Sequence, residues 1–458
     1  MWFKRMIGSI TLGMFVLFCA HSPAFGADMP SNEELLKELK QMRMLIKKQG
    51  SRIEALEKQL NDQNSTIAER KEKVDAKLKT LAEKDISGRM KRDLALLEGV
   101  PGELEIGAGI TFVGQGTPNA NNAAATDGED SRFDGSYSID LEVAKEFGDY
   151  GMAFIHMEAG QGDTIEGELS VFSNVNRDAG DSNARVDITE AWYEQYIFDG
   201  QLTITGGKID ATGYIDTNKY ANDECTQFLG HIFRNSAVID WPDDNAFGAR
   251  IYIVPEEVNF IDLEAVYMNE TGDWENLFDN PFLAAQLNFM PAKAFDYDEE
   301  MWGGNYRVLF WYNGAPHAKV KDTDDFERGN VGFGFTCDQK ITDVYGVFGR
   351  FGWADPTKSD LGYDWSIGGQ MIGRYWNRED DVVAIAIGQA IPGKEYRDVN
   401  VYDKSETHLE AYYAFKVNDH LTLTPDMQII WEPNGGGTTA GKDSDTIFVY
   451  GLRGQIDF

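Results

Sequence analysis

Beyond its first twenty-odd residues the sequence has no apolar run long enough to cross a membrane as a helix, which takes about 20 residues. That excludes a helical-bundle membrane protein. It leaves a transmembrane barrel open, because barrel strands alternate lipid-facing and lumen-facing residues and so keep mean hydropathy low. Proline is scarce, 13 in 458 residues, whereas glycine numbers 47 and aromatics make up 12% of the chain. Cysteine is scarcer still. Cys19, Cys225 and Cys337 are too few for a disulfide-built scaffold. The six histidines are scattered, with no His-Glu-x-x-His, and neither Gly-x-Ser-x-Gly nor a phosphate-cradling loop occurs. We therefore expect no enzyme, no metal site and no cofactor.

Bases are short in one region only. Lys4 and Arg5, the apolar stretch from Ile10 to Ala20, and Ala24-Phe25-Gly26 read as a secretory signal spanning 1–26. Residues 27–97 then hold 13 acids and 16 bases (net +3), whereas 98–458 hold 63 and 24 (net −39). Such acidity argues against nucleic acid or anionic lipid as the partner of the larger region. Much of it lies in loop-like stretches such as 127–134 and 322–327. These read either as solvated loops or as a bias toward cations and neutral solutes at a pore mouth.

Residues 27–98 carry a heptad repeat. Leu39, Ile46, Ile53, Leu60, Ile67, Val74 and Leu81 are apolar at every seventh residue. The companion series, Leu35, Met42, Gln49, Leu56, Gln63, Arg70 and Lys77, is mostly apolar at first and then polar. An unbroken first series predicts a coiled coil of undetermined strand number. Some fifty residues at ~1.5 Å each would make a rod of roughly 75 Å.

Gly99-Val100-Pro101-Gly102 ends the helix, and the period then changes from 3.5 to 2. Leu104, Ile106, Ala108, Ile110 and Phe112 alternate with Glu105, Gly107, Gly109 and Thr111. At the far end Phe448, Tyr450, Leu452, Ile456 and Phe458 share a face opposite Arg453, Gln455 and Asp457. Similar alternation runs through 249–253, 261–267, 306–312, 345–353, 367–375, 409–417 and 421–431. Apolar residues bracketed by aromatics suit a strand facing lipid, and a terminal Phe closing such a strand resembles the signature of outer-membrane proteins. The fold class is mainly β: residues 99–458 predict a transmembrane antiparallel barrel of about 16 strands (16–18), wide enough for an aqueous channel.

On this parity Arg250, Arg307, Arg350, Arg374 and Arg453 point into the lumen with Asp262, Glu264, Glu410 and Asp457. Trp311 would offer a flat face to a sugar ring. The charges either meet solute or brace the wall and infolded loops through salt bridges. Cys225 and Cys337 either pair or remain separate thiols; their spacing does not choose.

Two blocks carry a resemblance. The first runs from Glu190-Ala191-Trp192-Tyr193-Glu194-Gln195 through Gly206-Gly207-Lys208-Ile209-Asp210 to Asp216-Thr217-Asn218-Lys219-Tyr220-Ala221-Asn222-Asp223-Glu224, and on to Pro242. The second joins Glu406-Thr407 and Glu410-Ala411-Tyr412-Tyr413 to 421–428, Pro433-Asn434-Gly435-Gly436 and the last strand. In order and spacing the chain resembles the carbohydrate-selective porin (OprB) family across most of 100–458. The resemblance implies diffusion of monosaccharides and other small solutes, a homotrimer, and a pore-directed loop. On that loop Asp216, Asn218, Asn222, Asp223 and Glu224 would be constriction residues.

The expected protein is therefore a sugar-passing porin in an outer membrane, in contact with lipid and lipopolysaccharide, with its coiled coil in the periplasm. Two alternatives stand beside it. In one the coiled coil tethers the outer membrane to the cell wall and the barrel is an anchor; in the other the barrel passes ions or oxyanions.

Overall fold

The structure, a computed structural model, describes residues 104–122, 131–178, 184–438 and 441–458, all within one compact unit, Val100–Phe458. The signal peptide and coiled coil expected from the sequence lie outside the described residues.

Sixteen strands follow one another in a simple meander. They are β1 (Leu104–Thr117), β2 (Arg132–Glu146), β3 (Gly151–Gln161), β4 (Asp187–Ile197), β5 (Leu202–Ile209), β6 (Ala246–Ile253), β7 (Ile261–Asn269) and β8 (Pro281–Phe289). The second half comprises β9 (Gly304–Lys319), β10 (Asp322–Lys340), β11 (Tyr345–Ala354), β12 (Leu361–Gly373), β13 (Arg378–Pro392), β14 (Glu406–Asn418), β15 (Leu421–Trp431) and β16 (Ile447–Asp457). Each pairs antiparallel with its neighbours, and β1 closes on β16 from Gly109 opposite Asp457 to Gly116 opposite Tyr450. Closure leaves no sheet edge, which lipid demands because it cannot hydrogen-bond an unpaired backbone.

The alternation read from the sequence sorts as expected. Phe310, Ile367, Ile385, Phe448, Tyr450 and Leu452 are exposed on the outer face, while Thr336, Asp364, Gln428 and Arg453 are buried inward. Among the described residues no helix is long and apolar enough to cross a membrane. Both described cysteines are free. Cys337 shares the outward face of β10 with lipid-facing Phe333 and Phe335, whereas Cys225 lies in the connection between β5 and β6, so opposite sides of the wall separate them.

Most connections at one barrel end are tight (147–150, 198–201, 341–344, 374–377, 419–420), whereas the other end carries long ones, among them 162–186, 210–245, 393–405 and 432–446. Such asymmetry places short turns on the periplasmic side of an outer-membrane barrel and long loops outside. Arg374 corrects one expectation. β12 ends at Gly373, and Arg374 lies in a single 3-10 turn closed by left-handed Asn377. It pairs there with Asp343 and Glu379 at the barrel rim, because strand parity ceases to apply where the strand stops.

Replacing lipid-facing Ile367, midway along β12, with Arg is expected to destabilise the barrel by about 2–4 kcal/mol. Equilibrium unfolding in lipid vesicles would measure this, with Arg374→Ala, at an exposed rim pair, as a control that leaves stability close to that of the wild type.

Candidate functional site: the inner loop and the channel beside it

The connection 210–245 folds into the lumen instead of standing above it. Its apolar residues Ile215, Phe228, Ile232, Phe233 and Val238 form one buried cluster with Leu309, Trp311, Phe348, Ala384, Ala386, Tyr412 and Ala414 of the wall. The wall makes room by small size: Ala384, Ala386, Gly388 and Ala390 occupy alternate positions of β13. Burying each large side chain stabilises the seated loop by about 1.5–3 kcal/mol.

Polar latches fix its position. Arg350 of β11 is fully buried, with Nε 2.9 Å from Asp216 Oδ2. Its Nη1 donates to the Phe233 carbonyl at 2.6 Å, and Nη2 donates to the carbonyls of Asp216 (2.9 Å) and Ala221 (3.1 Å). Asp216 itself has φ +59°, a left-handed turn that Asp tolerates better than most residues. Its Oδ2 also accepts from the Ser236 amide at 2.7 Å. Asp364 of β12 accepts from the Ser236 hydroxyl and the Ala237 amide. Glu410 of β14 accepts from the amides of Leu229 (2.7 Å) and Gly230 (2.9 Å). Gly230 must be glycine for that approach, since a Cβ there would lie 2.9 Å from both Glu410 Oε2 and the His408 ring. Arg453 of β16 donates from Nη1 to the carbonyls of Glu224 and Gln227.

The connection after β3 also turns inward. Ile165, Leu169 and Val175 pack on Ile430, Ile447 and Val449, and Glu406 accepts from the amides of Phe172, Ser173 and Asn434. Within it, burial pushes Glu166 up to about 7 and Asp178 up to about 7.

What the loops leave open is a cavity of about 970 Å³ along the opposite wall. It extends from Gly107 and Asp457 near the short-turn end to Asp243 and Asp244 at the long-loop end. The wall contributes Ser138, Asp140, Glu142, His156, Glu158, Thr189 and Glu190; the inner loop contributes Asp210, Asn222, Asp223, Glu224, Arg234 and Trp241. Thr189 and Glu190 both reach the cavity because a bulge shifts the β3–β4 register there. His156 sits between Asp140 (3.1 Å) and Thr189 (2.9 Å). In the inner loop, burial holds His231 down at about 3, so it is uncharged near neutrality. Among the described residues no His, Cys, Asp and Glu group is arranged to hold a metal.

Apart from Arg374 at the rim, the residues singled out in the sequence divide into four fates. Asn222, Asp223 and Glu224 line the channel. Asp216 and Asn218 instead anchor the loop, Asn218 by donating to Thr336 Oγ1 (3.2 Å) and the Cys337 carbonyl (3.0 Å). Arg350, Arg453 and Trp311 point inward as expected, but the loop covers them: all three are buried. Trp311 therefore offers no face to a solute, and Trp241 is the indole that lines the channel. Arg250, Glu264, Asp262 and Arg307 form bracing pairs on the wall. Arg250 bonds Glu194 at 3.0 Å and pairs with Glu264, packed beside the rings of Tyr214 and Tyr252. Asp262 accepts from Asn288, and Arg307 bonds Asp338 at 2.6 Å.

Asp140, Glu158 and Asp178 were not singled out in the sequence, and Glu190 entered only as part of the resemblance motif, not as a lining residue. Parity alone would have turned Asp140 and Glu158 inward, had β2 and β3 been recognised as strands, but the bulge at Thr189 and the inward turn of Asp178 left no local trace.

Replacing Arg350 with Met leaves Asp216 buried without its cation, at a cost of about 3–5 kcal/mol. The expected result is a protease-sensitive inner loop with larger, noisier single-channel currents. The loop after β3 carries an opposite signal. Glu166 and Asp178 have raised values, so their contribution is complete below the ordinary carboxylate range and declines as pH rises through about 7. Limited proteolysis of this loop should accelerate between pH 5 and pH 8, and Glu166→Gln should flatten that dependence.

A model of the "Carbohydrate-selective porin, OprB family" matches residues 124–458. An uncharacterised protein of Aquifex aeolicus is 26% identical over 232 residues, covering 50% of this chain and 59% of that protein. Porin AaxA of Chlamydia abortus is 21% identical over 271 residues, 59% of this chain and 57% of its own length. The chain thus spans less than two thirds of the curated relatives it matches. In fold it is similar to Pseudomonas putida OprB in its high-pH structure, with a TM-score of 0.64 and 17% identity, covering 81% of this chain and 97% of the other. With a closed sixteen-strand barrel and a family match over most of its length, this chain belongs to the OprB family of carbohydrate-selective porins.

Proposed function

We propose that this protein is an outer-membrane porin through which small polar solutes, carbohydrates among them, diffuse passively. The observation that carries the reading is the cavity between the inner loop and strands β1–β4, which extends lengthwise inside a closed barrel and is lined by polar groups. A barrel of sixteen strands has room for an aqueous path, and the inner loop borders it with Asn222, Asp223 and Glu224. Hydroxyl-rich solutes suit such a lining because carboxylates and amides replace water as hydrogen-bond partners. Selection would come from bore and lining, without a tight binding pocket.

The heptads of residues 27–98 motivate a second, compatible role. As a periplasmic coiled coil behind the signal peptide, they would hold a homotrimer together or reach the cell wall, with the barrel anchored among lipid and lipopolysaccharide.

Purified protein in planar bilayers is expected to form channels, and liposomes containing it to swell faster with monosaccharides than with disaccharides. Thr226→Trp, at an exposed lining position, should lower conductance at least about twofold; protein that forms no channel defeats the reading. Deleting residues 30–97 separates the roles of the coiled coil. Unchanged flux with blebbing membranes marks a tether, whereas loss of oligomer and flux marks an assembly element.

A further inference from the structure

Charge of one sign dominates the channel. Among the described residues its lining holds eleven carboxylates against two arginines, Arg177 and Arg234. Arg234 is already paired with Glu224. The barrel's other inward arginines are withdrawn: Arg350 and Arg453 lie under the inner loop, and Arg250 and Arg307 are held in wall pairs. Glu158 of the wall lies within electrostatic reach of both Glu224 and Arg234 of the loop, so the two sides of the channel face each other there. Glu158, Glu190 and Asp210 make no ion pair with Lys or Arg among the described residues.

A second feature is independent of the charge count. Asp178 is 3% exposed and lines the channel; Oδ1 accepts from the Ser138 hydroxyl at 2.8 Å, while Oδ2 has no hydrogen-bond partner among the described residues. A buried acceptor seldom goes unsatisfied, and an ammonium N–H arriving along the channel would satisfy it. Trp241 adds an aromatic surface of the kind that attracts organic cations.

We propose that the channel is cation-selective and admits small organic ammonium ions in preference to anions of equal size, with Asp178 as a transient contact for the ammonium group. This rests on the porin reading above and names the solute class that the same channel favours. A narrow cleft walled by low-dielectric protein focuses the field of its carboxylates and concentrates counter-ions about 10- to 1,000-fold. Neutral sugars would pass without that gain.

The test uses the full-length protein in planar bilayers under a KCl gradient. The reversal potential should report K⁺ over Cl⁻ permeability of at least about tenfold, and methylammonium chloride should give the same sign. The double variant Glu158→Gln/Glu190→Gln should reduce that ratio severalfold while still conducting. Separately, at pH 8, above the raised value of the Asp178 carboxyl, Asp178→Asn should raise the methylammonium concentration that half-blocks K⁺ current at least about threefold, as loss of one charged contact requires. Wild-type channels that conduct with no cation preference overturn this inference and leave the porin reading standing, as does a ratio unmoved in the double variant. Absence of any conductance overturns both.

Discussion

Everything inside the barrel depends on the buried contact between Arg350 and Asp216. Removing two charges from water costs several kcal/mol per ion, and the cost is offset only when the remaining donors and acceptors are also satisfied. Here they are. The guanidinium fork spends its N–H groups on the Asp216 carboxylate and on the carbonyls of Asp216, Phe233 and Ala221. Asp216 completes itself with the Ser236 amide. One wall side chain thereby pins both ends of the loop's inward excursion, and lysine, with a point charge and no planar fork, could not.

The pinned loop divides the lumen in two. Toward β9–β14 the loop's aromatics meet alanines and glycines of the wall and exclude water. Any charge on that side must be fully hydrogen-bonded, as Asp364 and Glu410 are through loop hydroxyl and amide groups. Toward β1–β4 the loop stands off and leaves a polar cavity, and there, among the described residues, Glu158, Glu190 and Asp210 stay without a Lys or Arg partner. The same excess of acids that reads as bulk charge along the chain thus has two physical meanings, as latches on the dry side and as a lining on the wet side.

Period-two alternation made the first and last strands legible, because lipid penalises a polar outward residue strongly enough to leave an unbroken pattern in Phe448, Tyr450 and Leu452. The same parity turned Arg350, Arg453 and Trp311 inward. Parity reports which face a side chain takes and nothing about what later covers that face, so their burial under the loop was beyond it. It also misplaced Arg374, one residue past the end of β12. The Asp216–Glu224 segment was legible as a pore-directed loop through family resemblance, yet only three of its five singled-out residues line the channel. Asp216 and Asn218 face the opposite way, because a loop that plugs a barrel must present one side to the wall.

By itself the sequence determined that the chain is mainly β, that its polar and apolar residues sort across a wall, and that the barrel is rich in acid and poor in base. These are properties of local spacing and composition, and the solvent on each side of a strand enforces them residue by residue. Tertiary structure decided which inward charges meet water. That outcome depends on contacts between residues more than a hundred positions apart, such as Asp216 with Arg350 and Leu229 with Glu410, which no local pattern encodes.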